Sequence, residues 1–255
     1  MGTYSKEELL ELQETLYDSS NPTRRWLHRT RRDWILSRIN GLGQGAARVL
    51  EVGPGSGVYL PALSQVAQSV TAADIEDAYL EQANVLAEEL PNLQCLADDI
   101  TQTQMEKASF DLILCTEVIE HIADSPAALA GLASLLTEDG VLILSTPQRF
   151  SPLEVCARIA FLPGIIQVVR WIYREPIIET GHINLLTESA LAAQLSDAGL
   201  ATREAWKSGF YLPLVAELLG SPGQRFLAWC EDKLRDGPLS FLLWTQYRVL
   251  GKRQS

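Results

Sequence analysis

The chain has 255 residues, 47% of them hydrophobic and 21% charged, with no repeat or low-complexity tract. A chain of this size and composition buries a sizeable core and is expected to form one domain with decorations, which excludes a disordered or fibrous class. Its formal net charge of −11 argues against broad, non-specific nucleic-acid binding, because neutralising phosphates needs a basic surface. Cys95, Cys115, Cys156 and Cys230 are scattered with no C-x-x-C pair, which predicts free buried thiols rather than a disulfide framework. Met1 to Leu12 carries Lys6, Glu7 and Glu8 and no apolar run of signal-peptide length, so a cytoplasmic location is expected.

Leu9, Leu12 and Leu16 fall at helical spacing and predict a helix over Ser5 to Tyr17, broken by Ser19-Ser20-Asn21-Pro22. A second helix, Thr23 to Ile39, sets Trp26, Leu27, Trp34, Ile35 and Ile39 against Arg24, Arg25, Arg29, Arg31, Arg32 and Arg38, which only Asp33 opposes. Two readings stay open for this basic amphipathic helix: it rests on an anionic membrane surface, or it packs on the domain as an ordinary surface helix.

From Ala47 the pattern alternates strand and helix, which marks a doubly wound α/β fold with a mostly parallel sheet. The expected order is strand Ala47–Val52, helix Val58–Gln68, strand Ser69–Asp74, helix Ala78–Leu90, strand Leu93–Leu96, strand Phe110–Cys115, helix Ser125–Leu136 and strand Gly140–Ser145. Residues 147–186 interrupt the alternation with Pro147, Pro152, Pro163 and Pro176 and read as a helical cap insertion over the site. Arg158, Pro163 and Arg170 break its apolar runs, which are too short to span a membrane. The alternation resumes with helix Thr187–Ala198, strand Leu200–Trp206, a helical excursion from Leu212 to Arg235 and a terminal antiparallel strand near Leu239–Leu250. A single domain over 1–255 is expected, with leading helices in 1–45, a cofactor-binding half in 46–146, the cap in 147–186 and a C-terminal half in 187–255.

Within this frame Val49-Leu50-Glu51-Val52-Gly53-Pro54-Gly55-Ser56-Gly57 reads as a buried strand opening into a glycine loop, where the missing Cβ atoms let a ligand lie against the main chain. Dinucleotide loops need a third glycine where Val58 stands, which disfavours a nicotinamide cofactor. Asp74 ends the next strand, 21 residues after Gly53, where a carboxylate can accept both ribose hydroxyls. Its alternative use is to cap the following helix.

With Glu51 leading the loop, the stretch resembles the first motif of the Rossmann-like, class I S-adenosylmethionine-dependent methyltransferases. Ala97-Asp98-Asp99, Phe110-Asp111-Leu112-Ile113-Leu114-Cys115 and Gly140-Val141-Leu142-Ile143-Leu144-Ser145-Thr146-Pro147 extend the likeness over most of Arg48 to Lys252. The resemblance implies S-adenosylmethionine as cofactor and S-adenosylhomocysteine as product, held by Glu51, Gly53, Gly55, Gly57, Asp74, Ile75, Asp98, Asp99, Ile100 and Thr116. In that reading Asp98 accepts from the adenine amino group while the backbone of Asp99 and Ile100 meets the ring edge; otherwise Asp98 is a loop residue. The leading helices would form a lid that brings Tyr17 or His28 towards the ligand.

Methyl transfer from a sulfonium is an in-line displacement, so residues beyond the cofactor site must position and activate the acceptor. Glu117-Val118-Ile119-Glu120-His121 follows a strand at the carboxyl edge of the sheet, and a helix beginning there would put Glu117, Glu120 and His121 on one face. With His182, they resemble the Glu-x-x-Glu-His site of metal-dependent methyltransferases such as the ubiquinone-biosynthesis O-methyltransferases and the RNA 3′-terminal 2′-O-methyltransferases. A divalent cation such as magnesium, held by Glu117, Glu120, His121 and His182, is one reading. A metal-free turn with Glu120 or His121 as general base is the other. The cap and Trp171, Tyr173, Phe210 and Tyr211 suggest a small hydrophobic hydroxyl compound as substrate. An RNA end and a non-catalytic membrane-associated protein that keeps the fold are the alternatives.

Overall fold

The computed structural model describes residues 16–19, 22–41, 47–162, 164–167, 181–213 and 215–253. The helix expected over Ser5 to Tyr17, apart from its end, and the stretch carrying Arg170, Trp171, Tyr173 and Pro176 lie outside the described residues, as does Pro163.

Seven strands form one sheet: β1 (Ala47–Val52), β2 (Ala67–Asp74), β3 (Leu93–Ala97), β4 (Phe110–Thr116), β5 (Leu136–Pro147), β6 (Leu200–Ser208) and β7 (Thr245–Lys252), in the order β3-β2-β1-β4-β5-β7-β6. The first five strands pair in parallel, and β7 runs antiparallel to both β5 and β6. This is the doubly wound sheet with a terminal antiparallel strand that the alternation predicts. Its central strands are continuous apolar runs because both faces are covered. Successive residues alternate between two cores: Leu50, Ile113 and Leu142 pack on one face, Val49, Leu112 and Ile143 on the other. Each fully buried side chain of this size contributes about 1.5–3 kcal/mol, so the centre of the sheet carries a large share of the apolar burial.

Helices among the described residues include α1 (Pro22–Asn40), α2 (Leu60–Val66), α3 (Asp77–Ala87), α4 (Ser125–Leu135), α5 (Pro152–Ala160), α6 (Glu188–Asp197), α7 (Val215–Leu219) and α8 (Ser221–Leu234). Several bounds differ from the sequence expectations, for local reasons. The helix expected from Val58 starts at Leu60, with Pro61 in its first turn, and gives way at Ala67 to an earlier β2. The helix expected to reach Leu90 stops at Ala87, because Pro91 disfavours helical backbone in the residue before it. The last strand starts at Thr245 rather than near Leu239, where Ser240–Leu242 forms a 3-10 turn after Gly237-Pro238. Gly220, at φ +60°, divides the C-terminal excursion into α7 and α8.

Helix α1 lies against the sheet, burying Leu27, Trp34, Ile35 and Ile39 as the pattern predicts and Arg31 as it does not. Trp34 stacks on Trp206 of β6, with ring centroids 5.8 Å apart and planes 6° from parallel. Its arginines are engaged within the chain: Arg25 with the Ser19 carbonyl, Arg29 with Asp18, Arg31 with Glu117, Arg32 with Asp33 and Arg38 with Glu204. That pattern is the surface-helix alternative of the two sequence readings. Among the described residues no helix is long and apolar enough to cross a membrane. All four cysteines are free; Cys115 alone is buried, and the other three are half-buried.

Candidate active site

Strand order reverses between β1 and β4, and in sheets of this kind the crevice beyond the strand ends at that point receives ligands. Registry puts the sequence candidates there. Val52 lies opposite Ala73 and Cys115, so Gly53, Asp74 and Thr116 emerge along the same edge. The three loop glycines have φ of +70°, +54° and +74°, values that side-chain-bearing residues rarely adopt. At Gly53 a Cβ would also sit 2.4 Å from Val118 Cγ2, while its N–H donates to the Ala73 carbonyl at 2.9 Å. The loop is therefore a backbone surface that a ligand can approach closely.

Two carboxylates beside this surface have buried oxygens without a hydrogen-bond partner, Glu51 Oε2 and Asp98 Oδ1. Burial pushes the Glu51 carboxyl well above its ordinary range. Unpartnered buried polar atoms are costly, so both are natural acceptors for donors on a bound molecule. The other oxygen of Asp98 accepts from the Gln104 N–H at 3.1 Å. Asp98 lines an open cavity of 460 Å³ with Leu96, Ala97, Asp99, Gln102, Gln104 and Met105, beyond the end of β3. Asp74 is buried and accepts from the Glu76 N–H at 2.9 Å, in the turn before α3; Glu76, not Asp74, is the residue at the N-cap of that helix, and no side chain caps it. Burial raises the Asp74 carboxyl despite that bond. Ile75, next to it, is 69% exposed. Asp99 caps the 3-10 turn Ile100–Gln102, its carboxylate accepting from the Thr101 N–H and hydroxyl while its carbonyl accepts from the Gln102 N–H. These features fit S-adenosylmethionine: a Cβ-free cradle, an acid at the ribose position and an unpaired acceptor by the cavity.

At the end of β4 the expected helix does not form. Glu117 takes φ +56°, and only Ile119–His121 makes a 3-10 turn, so Glu117, Glu120 and His121 do not share a helical face. Glu117 turns to Arg31 Nη1 at 2.5 Å and accepts from Ser145 Oγ at 2.8 Å. Glu120 is fully buried and accepts from Thr146 Oγ1 at 2.9 Å, while its other oxygen, Oε1, is unpartnered. Burial first, then the nearby Glu117 charge, raises the Glu120 carboxyl well above its ordinary range. Both the Ile183 and Asn184 N–H groups donate to the Glu120 carbonyl at 3.0 Å, and Asn184 Nδ2 reaches the Ile122 carbonyl at 2.9 Å. These bonds hold the segment after Gly181 against the turn and bring His182 to His121, with ring centroids 5.2 Å apart.

One ligand atom from each of Glu120, His121 and His182 lies within 4.8 Å of the others. Three of the four sequence candidates for a metal thus converge, and Glu117 stands outside the group because Arg31 engages it. Two imidazoles and one carboxylate, whose buried Oε1 is unpartnered, are a donor set that fits a divalent cation. His121 is held below its ordinary pKa by burial and by His182, so it is a neutral base near pH 7.

Sequence reading missed Arg31, Ser145, Thr146 and Glu154. Arg31 falls between Leu27 and Ile35 at four-residue spacing, on the buried stripe of α1, which is a legible signal for a buried charge. Ser151 and Glu154 form the Ser-x-x-Glu pattern of a helix start, which marks α5 inside the cap. Phe210 and Tyr211, which with the cap suggest a hydrophobic substrate, pack on α8 and on Leu27 with Trp244, respectively. His28 meets the Trp244 ring edge-on at 5.7 Å.

The family described as a methyltransferase domain matches residues 23–205. Curated relatives include the ubiquinone biosynthesis O-methyltransferase of Actinobacillus pleuropneumoniae serotype 5b, 34% identical over 129 residues that make up 48% of this chain and 54% of that one. Its counterpart in Xanthomonas campestris pv. campestris strain B100 is 32% identical over 125 residues, 48% of this chain and 51% of that one. The chain spans about half the length of the curated relatives it matches. Among solved structures, a SAM-dependent methyltransferase from Aquifex aeolicus superposes with a TM-score of 0.58 at 15% identity, covering 97% of this chain and 99% of that one. The [4+2]-cyclase SpnF gives the same TM-score at 14% identity, covering 88% and 81%. At such identities the structural likeness establishes the fold alone.

Proposed function

This chain belongs to the methyltransferase-domain family and is a class I, S-adenosylmethionine-dependent methyltransferase; on that premise we propose that it O-methylates a small hydrophobic molecule bearing a hydroxyl group. The observation that carries this reading is the convergence of Glu120, His121 and His182 at the edge of β4, beside the glycine loop. The ubiquinone-related names of the relatives favour a quinone precursor or similar compound. The apolar side chains exposed around the cap, among them Phe150, Ile159, Leu162 and Ile183, support a hydrophobic acceptor.

The cofactor supplies the electrophilic methyl group on a sulfonium. Glu51, Gly53, Asp74 and Asp98 would hold it by acceptor atoms and open backbone. A divalent cation such as magnesium at Glu120, His121 and His182 would lower the pKa of an acceptor hydroxyl and fix its direction. Without a cation, neutral His121 would be the proton acceptor; with one, Glu120, whose burial favours its protonated form, would become a charged ligand that the cation balances. Thr146 holds the Glu120 carboxyl in place, and Arg31 pairs with the Glu117 carboxylate beside the cluster.

An RNA 3′ end as acceptor has less support, because five arginines of α1 are engaged by the chain itself. Peripheral membrane contact belongs to the same proposal, through the exposed apolar residues of the cap, and flotation with liposomes checks it.

The test is methyl transfer from radiolabelled S-adenosylmethionine to catechols and other hydroxyl compounds, with metal content measured on the purified protein. Chelation and His182→Gln are each expected to remove transfer while calorimetry shows cofactor binding unchanged. Full activity in a metal-free, chelator-treated sample would remove the cation and leave His121 as direct base.

A further inference from the structure

We propose that Glu154, on the cap helix α5, is a positioning residue that sets the tautomer of His182 and so presents its Nε2 lone pair to the acceptor site. This rests on the reading of Glu120, His121 and His182 as that site.

Glu154 is 5% exposed, and both its oxygens are engaged by side chains from other elements. Oε1 accepts from Trp244 Nε1 at 2.9 Å, and Oε2 lies 3.2 Å from His182 Nδ1. In the Ser-x-x-Glu helix start, the glutamate ordinarily returns to the backbone N–H of the capping residue. Here the Ser151 N–H donates to the Gln148 carbonyl at 3.2 Å, while Ser151 Oγ accepts from the Glu154 N–H at 3.3 Å. The cap is complete without the glutamate, whose carboxylate faces His182 and Trp244 instead.

The chemistry of the partners decides where the protons sit. An indole N–H can only donate, and a carboxylate can only accept. His182 Nδ1 therefore carries a hydrogen towards Glu154, and in the neutral ring the lone pair is left on Nε2. His121 obeys the same rule, since its Nδ1 lies 3.3 Å from the Gly181 carbonyl, which can only accept. Both imidazoles of the cluster are thus held as Nδ1–H tautomers, His121 by the backbone next to His182 and His182 by the cap. A carboxylate that fixes the outer nitrogen of a functional histidine orients the ring and raises the basicity of the inner one.

The isosteric variant Glu154→Gln provides a sharp test. Its amide has one accepting oxygen, which Trp244 requires; the NH₂ group then faces His182 Nδ1, which must accept, and the ring hydrogen moves to Nε2. Histidine nitrogen chemical shifts in ¹⁵N-labelled protein report this directly, and the three histidines are assigned by single His→Gln variants. The expected result is an Nδ1–H form of His182 in the wild type, an Nε2–H form in Glu154→Gln, and a kcat about 10–100-fold lower with cofactor affinity unchanged. Trp244→Phe combined with Glu154→Gln frees the amide oxygen, and recovery of the Nδ1–H form with part of kcat is expected. An Nδ1–H form that survives Glu154→Gln, or a change of tautomer that leaves kcat intact, would overturn the proposal. If His182→Gln itself retains full kcat, the acceptor-site reading fails instead, whatever Glu154 does to the ring.

Discussion

Arg31 and Glu117, 86 residues apart in sequence, form a 2.5 Å ion pair that ties helix α1 to the end of β4. Burial opposes the guanidinium charge, yet Glu117, with smaller effects from Tyr17, Tyr59 and Tyr247, outweighs it and holds Arg31 above its ordinary pKa. Arg31 also lies 5.6 Å from the centroid of the Trp244 ring, so one side chain links the leading helix, the strand edge and the residue that holds Glu154.

Removing one partner of this pair leaves a largely buried charge behind. Arg31→Gln is expected to lower unfolding free energy by about 1–3 kcal/mol in urea titrations, the cost of an unsatisfied group with partial solvent access. The double variant Arg31→Gln with Glu117→Gln should recover much of that loss, since two amides can pair. Equal stability of wild type and Arg31→Gln would show that the pair contributes nothing to holding α1.

The Glu51 carboxyl, raised above its ordinary 4.5 by burial, gives a pH signature. The ligand-free folded state retains this proton where the unfolded chain has lost it. The associated stability is therefore full below about pH 4.5 and declines as pH rises towards the folded-state value. Glu51→Gln should flatten the dependence of Tm on pH above 4.5 and raise Tm at pH 7 in the absence of ligand. The same change should weaken S-adenosylmethionine about tenfold, because Glu51 can ionise when a ligand donor meets its unpartnered Oε2 and an amide cannot. Parallel Tm profiles for the two proteins would contradict the buried-acid account.

Gly53→Ala combines a φ of +70° with a Cβ 2.4 Å from Val118 Cγ2. A loss of about 1–3 kcal/mol and weaker cofactor binding are expected. Adding Val118→Ala removes the clash and leaves the dihedral strain, so calorimetry on the double variant should show partial recovery. Complete recovery would mean that the backbone conformation costs little.

Asp98→Asn and Asp74→Ala separate the two ends of the cofactor. Asp98→Asn should weaken S-adenosylmethionine and S-adenosylhomocysteine alike, because both carry the adenine amino group that Asp98 Oδ1 is free to receive. Asp74→Ala should weaken both through the ribose. Undiminished affinity in either variant would move the ligand away from that carboxylate.

The sheet and glycine loop were legible in the sequence because their signals are local. Val49-Leu50 followed by Gly53, Gly55 and Gly57 predicts a buried strand opening into a close-approach loop, and Asp74 marks the next strand's end by spacing alone. Helix bounds shifted where a proline acted a few residues away, at Pro61 and Pro91. The candidate metal ligands are legible as residues but not as an arrangement, since the spacing alone does not tell a helix from the turn in which Glu117 takes a positive φ. Which carboxylate joins the histidines depends on Arg31, which draws Glu117 away and leaves Glu120 beside His121 and His182. Glu154 reaches His182 through the cap helix, and Trp244 arrives from the far end of the chain. Hydrophobic periodicity and turn chemistry act over a few residues and can be read in order, whereas the pairing of buried charges and the tautomer of a histidine depend on atoms that only the folded sheet brings together.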